Sequence, residues 1–218
     1  PARAGSGGAA APQPAPRPDP RSNPRIDPRI APRIAPRIDP MMRVMNHLRY
    51  DAMVLGNHEF NFGLPVLWKA WLEAEFPWLS ANVTPAASEE EALAVRKRQY
   101  GQAALRMGAR TFEPMLLKQV NGVQVAVIGL TTPAIPNWEP PENIRGYRFE
   151  PAPQAARFWV RHAREVRKAD LVVLAAHLGL ERDPATGAPL RQDSLGENAV
   201  YQLAVGTPGI DAIVFGHS

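Results

Sequence analysis

The chain has 218 residues, 45% of them hydrophobic, which is ordinary for a globular protein and enough for one domain with a real core. No apolar run reaches the roughly 18 residues of a membrane-spanning helix. Cysteine is absent, which excludes disulfides and thiolate metal sites and leaves His, Asp, Glu or Asn to hold any metal. The formal charge of +4 sits wholly in residues 1–40, which carry seven of the 25 basic and three of the 21 acidic residues. The rest of the chain is balanced, with no basic excess to track a phosphate backbone, so a nucleic-acid polymer is not an expected partner.

Residues 1–40 also hold 11 of the 24 prolines, and Arg recurs at every fourth position from Arg17 to Arg37. Proline at that density blocks helix and central strand. The segment is expected to be a disordered Pro/Arg-rich low-complexity tail, with residues 41–218 forming the folded part. The chain starts at Pro1 with no apolar leader, as expected of a processed or partial chain.

From Met41, "MMRVMNHLRYDAMVLGN" predicts a short helix and then a strand at about 52–55. "GLPVLWKAWLEAEF" sets Leu64, Leu67, Trp68, Trp71 and Leu72 on one helical face. Glu89 to Arg98 reads as a charged, exposed helix. Between Leu116 and Leu130, Asn121-Gly122 joins two apolar runs, a hairpin signal. Six prolines from Pro133 to Pro153 mark a long loop. Gln154 to Lys168 predicts a helix burying Ala155, Phe158, Trp159, Ala163 and Val166. "DLVVLAAH" and "DAIVFGH" are near-continuous apolar runs, as in a sheet covered on both faces. Strands alternating with helices predict an α/β layered domain.

Three apolar strands end alike: one at Asn57-His58, one at His177 and one at His217. In an open α/β sheet, ligands bind beyond the carboxyl ends of the strands, so these side chains can converge across the sequence. Nitrogen and oxygen donors without sulfur suit Zn, Mn, Co or Fe. Taken singly, each histidine also fits a turn or a supporting role, and Asn57 fits a left-handed turn. His162 lies on a helical apolar stripe and His47 precedes its strand, so both read as structural.

The string "GNHE" after a strand, a His after a second strand and "FGH" after a third resemble the ordered motifs of the calcineurin-like metallophosphoesterases. "MNHLRYDAMVLGNHEFNFG", "IGLTTPAIPNWEPPENIRGYRF", "GENAVYQLA" and "PGIDAIVFGHS" are similar to the bacterial bifunctional 5′-nucleotidase and 2′,3′-cyclic-nucleotide 2′-phosphodiesterase/3′-nucleotidase group. The likeness runs from about Met41 to Ser218, with an added charged segment near 88–108. It implies a β-sandwich flanked by helices with two divalent metals at one strand end, and a nucleotide or cyclic-nucleotide substrate. It implies that Asn57, His177 and His217 bind one metal, while His58 supports the leaving oxygen and Asn61 holds the His58 ring. Glu59 is then expected to fix the loop. Where the 5′-nucleotidases carry an Asp, Asn61 favours the cyclic-phosphodiesterase branch. Leu178 stands where the group commonly has Ser.

The departures carry their own expectations. The family's Asp-x-His and Gly-Asp motifs do not occur in this sequence, and the chain stops at Ser218, one residue before the expected second His of Gly-His-x-His. The fold is therefore expected to be truncated at both ends, with at most one metal's ligands retained. The complete protein is expected to be a periplasmic or extracellular nucleotide phosphoesterase, and this chain alone to be weakly active or inactive. The alternatives are a degenerate, non-catalytic metal-binding domain and a nonfunctional truncated product.

Overall fold

The structure is a computed structural model and describes residues 38–86, 112–190 and 192–217. The expected tail up to Arg37 and the charged helix of Glu89–Arg98 lie outside these. From Ile38 onward the chain forms one compact unit.

The first helix, α1 (Pro40–His47), opens where the sequence changes character. Asp39 is its N-cap, its carboxylate accepting from the Met41 and Met42 amides, and Pro40 fills the first turn, where no amide is needed. The last residues of the 1–40 segment thus belong to the helix. Strand β1 (Met53–Val54) follows, then helix α2 (Leu64–Glu73), which buries Leu64, Leu67 and Trp68 as its periodicity predicts. Two short strands come next, β2 (Trp78–Leu79), parallel to β1, and β3 (Val83–Pro85).

The principal sheet has the order β4 (Met115–Val120), β5 (Val123–Thr131), β7 (Leu171–His177), β8 (Ala212–Gly216). Strands β4 (Met115–Val120) and β5 (Val123–Thr131) form the expected hairpin, with Asn121 and Gly122 at φ 50° and 86°, the positive angles of a tight two-residue turn. The prolines after β5 enclose short helical turns and a further strand, β6 (Tyr147–Phe149), antiparallel to β3. Helix α3 (Ala152–Arg161) runs into a π-turn at His162–Val166. Strand β7 (Leu171–His177), helix α4 (Val200–Gly206) and strand β8 (Ala212–Gly216) complete the unit, with β5, β7 and β8 mutually parallel.

Two hydrophobic cores result. One joins the sheet to α3 and α4 through residues such as Ile128, Leu130, Leu174, Val160 and Leu203. The other gathers Phe60, Trp68, Trp78, Phe112 and Tyr147 around α1 and α2. Two expectations change here. Helix α3 buries Ala152, Ala156 and Val160, while Phe158 and Val166 are exposed, because small residues let the helix lie close to the sheet. Strand β8 is an edge with Val214 and Phe215 exposed, so the sheet is not covered on both faces there.

Arg164 fastens the corner where β7 and β8 begin. Its guanidinium donates to the carbonyls of Gly209 (3.0 Å), Ala169 (3.0 Å) and Asp170 (2.7 Å) and to the Asp211 carboxylate.

Gly129 of β5 lies in close contact with Leu79 of β2. A Cβ there would lie 2.5–2.7 Å from the Cβ, carbonyl carbon and carbonyl oxygen of Leu79, atoms that backbone position holds in place. Gly129→Ala is expected to destabilise the fold by about 1–3 kcal/mol, the range for overpacking a well-packed core, measured by urea unfolding.

Candidate active site

The site is built at the carboxyl ends of the parallel strands. Register sets Thr131 of β5 opposite His177 of β7, and His177 opposite Gly216 of β8. His217 follows directly, with φ 119°, a strained conformation for a residue with a side chain. The β1 end is tied to the same rim, because the Thr131 hydroxyl donates to the Leu55 carbonyl at 2.8 Å. Asn57 and His58 are thereby brought to a sheet whose other residues lie far along the chain.

The loop after β1 is a tight helical turn over His58–Phe60. Phe60 is fully buried, edge-on to Tyr147 and Phe149 at 6.2 and 5.4 Å, and anchors the turn. Glu59 accepts from the Gly56 amide at 2.7 Å, the loop-fixing contact expected of it. Gly56 has no room for a side chain: a Cβ would lie 2.8 Å from the Glu59 carboxylate and 2.9 Å from the His177 ring.

Asn57, His177 and His217 meet. His177 Nε2 lies 2.7 Å from Asn57 Oδ1 and 3.1 Å from His217 Nδ1. The two rings are 4.8 Å apart, and Trp138 lies 5.6 Å from the His217 ring. Burial, together with the nearby His217 and His58, lowers the His177 pKa from 6.5 to about 4. Its imidazole is neutral at ordinary pH, the form that offers a lone pair. The other two expected residues form a separate pair: His58 Nδ1 lies 2.7 Å from Asn61 Oδ1. Of the two histidines read as structural, His162 packs against Phe158 and Trp159, and His47 is exposed at the end of α1.

Two carboxylates beside these groups were not singled out from the sequence. Glu197 lies 3.6 Å from His217 Nε2, on the ring edge away from His177. Its loop is held by Asp193, which accepts from the amides of Leu195 and Gly196 at 2.9 Å and of Asn198 at 2.6 Å. Burial opposes the charge on Asp193, but these backbone donors outweigh it and keep its pKa below the usual carboxylate value. Glu139 is bonded to the Asn61 amide. Both lie inside stretches that carry the family resemblance, "GENAVYQLA" and "IPNWEPPEN", which was the available signal. Leu178, in the place of the group's Ser, is fully buried in the sheet core. A cavity of about 890 Å³ lies to one side, lined by Arg157, Glu181 and Tyr201 among others and by none of the converging histidines.

The model of the calcineurin-like phosphoesterase family matches residues 25–218. This chain belongs to that family. It is 31% identical over 185 residues to the 2′,3′-cyclic-nucleotide 2′-phosphodiesterase/3′-nucleotidase of Salmonella typhimurium, covering 81% of this chain and 24% of that protein. It is 34% identical over 175 residues to the 5′-nucleotidase of Vibrio cholerae, covering 80% and 27%. Its fold is similar to the crystal structure of the calcineurin-like phosphoesterase YfkN of Bacillus subtilis, with a TM-score of 0.62 and 31% identity over 83% of this chain and 48% of that one. The chain spans about a quarter of the length of the two curated relatives. Members of the family are phosphoesterase and nucleotidase hydrolases, and calcineurin-like phosphoesterases use divalent metal ions. No helix among the described residues is long and apolar enough to cross a membrane.

The donors of this chain fit one such ion in their chemistry. Two imidazole nitrogens and an amide oxygen stand at successive spacings of 2.7 and 3.1 Å, and nitrogen and oxygen donors without sulfur suit a first-row divalent ion. Among the described residues no group of three or more His, Asp or Glu could hold an ion, so the third donor here is the neutral amide of Asn57.

The lowered His177 pKa gives a stability prediction for the metal-free chain. The unfolded chain takes up a proton near 6.5 and the folded chain only near 4, so stability is expected to fall as pH drops through that window. His177→Gln should flatten this part of the curve, read as the urea midpoint against pH in the presence of a chelator.

Proposed function

We propose that the complete protein hydrolyses nucleotide phosphoesters, as a 2′,3′-cyclic-nucleotide phosphodiesterase/3′-nucleotidase or 5′-nucleotidase, at a divalent-metal site in the periplasm or outside the cell. The observation that carries this reading is the convergence of Asn57, His177 and His217, three donors from three strand ends, with the His58–Asn61 pair beside them. The names of the relatives supply the substrate class.

In this reading Asn57, His177 and His217 hold one ion. When bound, it supplies Lewis acidity toward a phosphoryl oxygen and lowers the pKa of water. Glu197, behind His217, orients that ring so that Nδ1 faces the site, the usual task of a carboxylate behind a ligand histidine. Asn61 holds His58, and the His58 imidazolium would give its Nε2 proton to the leaving oxygen as water oxygen bonds to phosphorus and the ester P–O bond breaks. Trp138 covers one side of His217 and limits its contact with water.

The ligand set is neutral, and among the described residues no group of three or more His, Asp or Glu could hold an ion. Affinity for a divalent cation is therefore low, and this chain alone is weakly active or inactive. The same observation favours a second reading, a non-catalytic domain with one weak metal site.

Hydrolysis of bis-p-nitrophenyl phosphate with Mn or Co tests the first reading. Turnover is expected to be low, to depend on the ion and to fall about 100-fold in His58→Ala, the scale of a lost general acid. Turnover that His58→Ala leaves unchanged would remove His58 from the chemistry. Zinc titration by calorimetry tests the second: one weak site, lost in His177→Ala, with no turnover under any ion.

A further inference from the structure

Glu139 is a buried carboxylate without a cation. It is 9% exposed, and among the described residues no ion pair reaches it. Its two oxygens instead meet two amides: Asn61 Nδ2 donates to Oε1, and Asn143 Nδ2 donates to Oε2 at 3.0 Å. Taking a carboxylate out of water without a counter-charge is costly, so a neutral residue of similar shape would serve packing better. What a carboxylate offers here is one-sidedness: it accepts hydrogen bonds and donates none.

That property propagates. Facing an acceptor, Asn61 must turn its NH₂ group toward Glu139 and its Oδ1 toward His58. An amide oxygen also only accepts, so His58 Nδ1, 2.7 Å away, must carry the ring proton. His58 Nε2 then carries the ring's lone pair. With the Asn61 amide reversed, its oxygen would face the carboxylate and its NH₂ would select the opposite tautomer. The rest of the network is fixed from the backbone. The Glu139 amide donates to the Ile135 carbonyl at 3.0 Å, and Asn143 Nδ2 also reaches the Asn61 carbonyl at 3.3 Å.

We propose that Glu139 is a positioning residue that sets the tautomer of His58, acting through the side chain of Asn61. In a directly bonded His–carboxylate pair, the carboxylate fixes the tautomer and stabilises the charged ring. Here an amide stands between, so orientation is transmitted while the negative charge stays one residue back. The importance of an Nε2 without a proton rests on the proposed role of His58: Nε2 takes a proton from water to give the imidazolium, passes it to the leaving oxygen, and the ring returns to its Nδ1–H form. The tautomer assignment itself does not rest on that role.

The experiment is long-range proton–nitrogen NMR of the histidine rings in the full chain, metal-free, at a pH above the ordinary imidazole range of about 6.5. His58 is expected as the Nδ1–H tautomer in the wild type. Glu139→Gln keeps the shape but adds a donor, which frees Asn61 to reverse, and His58 should move wholly or partly to Nε2–H. Asn61→Asp combined with Glu139→Gln should restore Nδ1–H, because an acceptor-only group again faces the ring. Should Glu139→Gln fail to fold, Asn61→Ala removes the intermediary and should release the Nδ1–H preference. An Nε2–H tautomer in the wild type, or a His58 tautomer unmoved in folded Glu139→Gln or Asn61→Ala, overturns the proposal. Neither metal nor substrate enters this measurement, so its failure is separable from failure of the phosphoesterase assay.

Discussion

Everything at the site depends on the knot around Thr131. This residue is fully buried, and each of its polar groups is used. Its amide donates to Asn82 Oδ1 at 2.8 Å and its carbonyl accepts from Asn82 Nδ2 at 2.7 Å. Its hydroxyl donates to the Leu55 carbonyl at 2.8 Å and lies 2.8 Å from the Ser80 hydroxyl. Asn82 reaches on to the Glu150 carbonyl at 2.8 Å. One residue at the end of β5 thus fixes the end of β1, the segment after β2 and the entry to α3. A buried polar group left unpaired costs about 1–3 kcal/mol, so this arrangement has few tolerable alternatives. Since Thr131 is also in register with His177, the knot decides where the Asn57 loop meets the histidines.

Around that anchor the same device recurs: a site histidine backed by a carboxylate. His217 faces Glu197 directly, and His58 faces Glu139 through Asn61. His177 differs: burial, with the nearby His217 and His58, lowers its pKa. The site thus separates neutral donors at its centre from negative charge at its edge. Close packing keeps the separation in place, since Gly56 leaves no space beside His177 and Gly179 none beside Asn198.

Much of the fold was legible wherever periodicity was strong. The faces of α2, the Asn121-Gly122 hairpin and the three strands ending at Asn57, His177 and His217 follow from apolar spacing and turn chemistry. Strands β2, β3 and β6 were not visible, because two or three residues cannot display a period, and prolines flank or enter two of them. Helix α3 misled for a physical reason. Its aromatic and branched residues suggested a buried stripe, but close approach to the sheet favours Ala152 and Ala156, leaving Phe158 outside. Strand β8 reads as a core strand by composition, and its edge position is a property of strand order that no local pattern encodes.

The sequence by itself determined the family likeness, and through that likeness the expectation that Asn57, His177 and His217 act together and that Asn61 holds His58. Residue identity and position after an apolar strand carry that information locally. Only the tertiary structure decided which carboxylates stand behind the histidines. Glu139 is 78 residues from Asn61, and Glu197 reaches His217 from a loop with no regular pattern. Those contacts arise from strand register and buried hydrogen bonds, which are set by the packing of distant segments and leave little trace in the spacing of the chain.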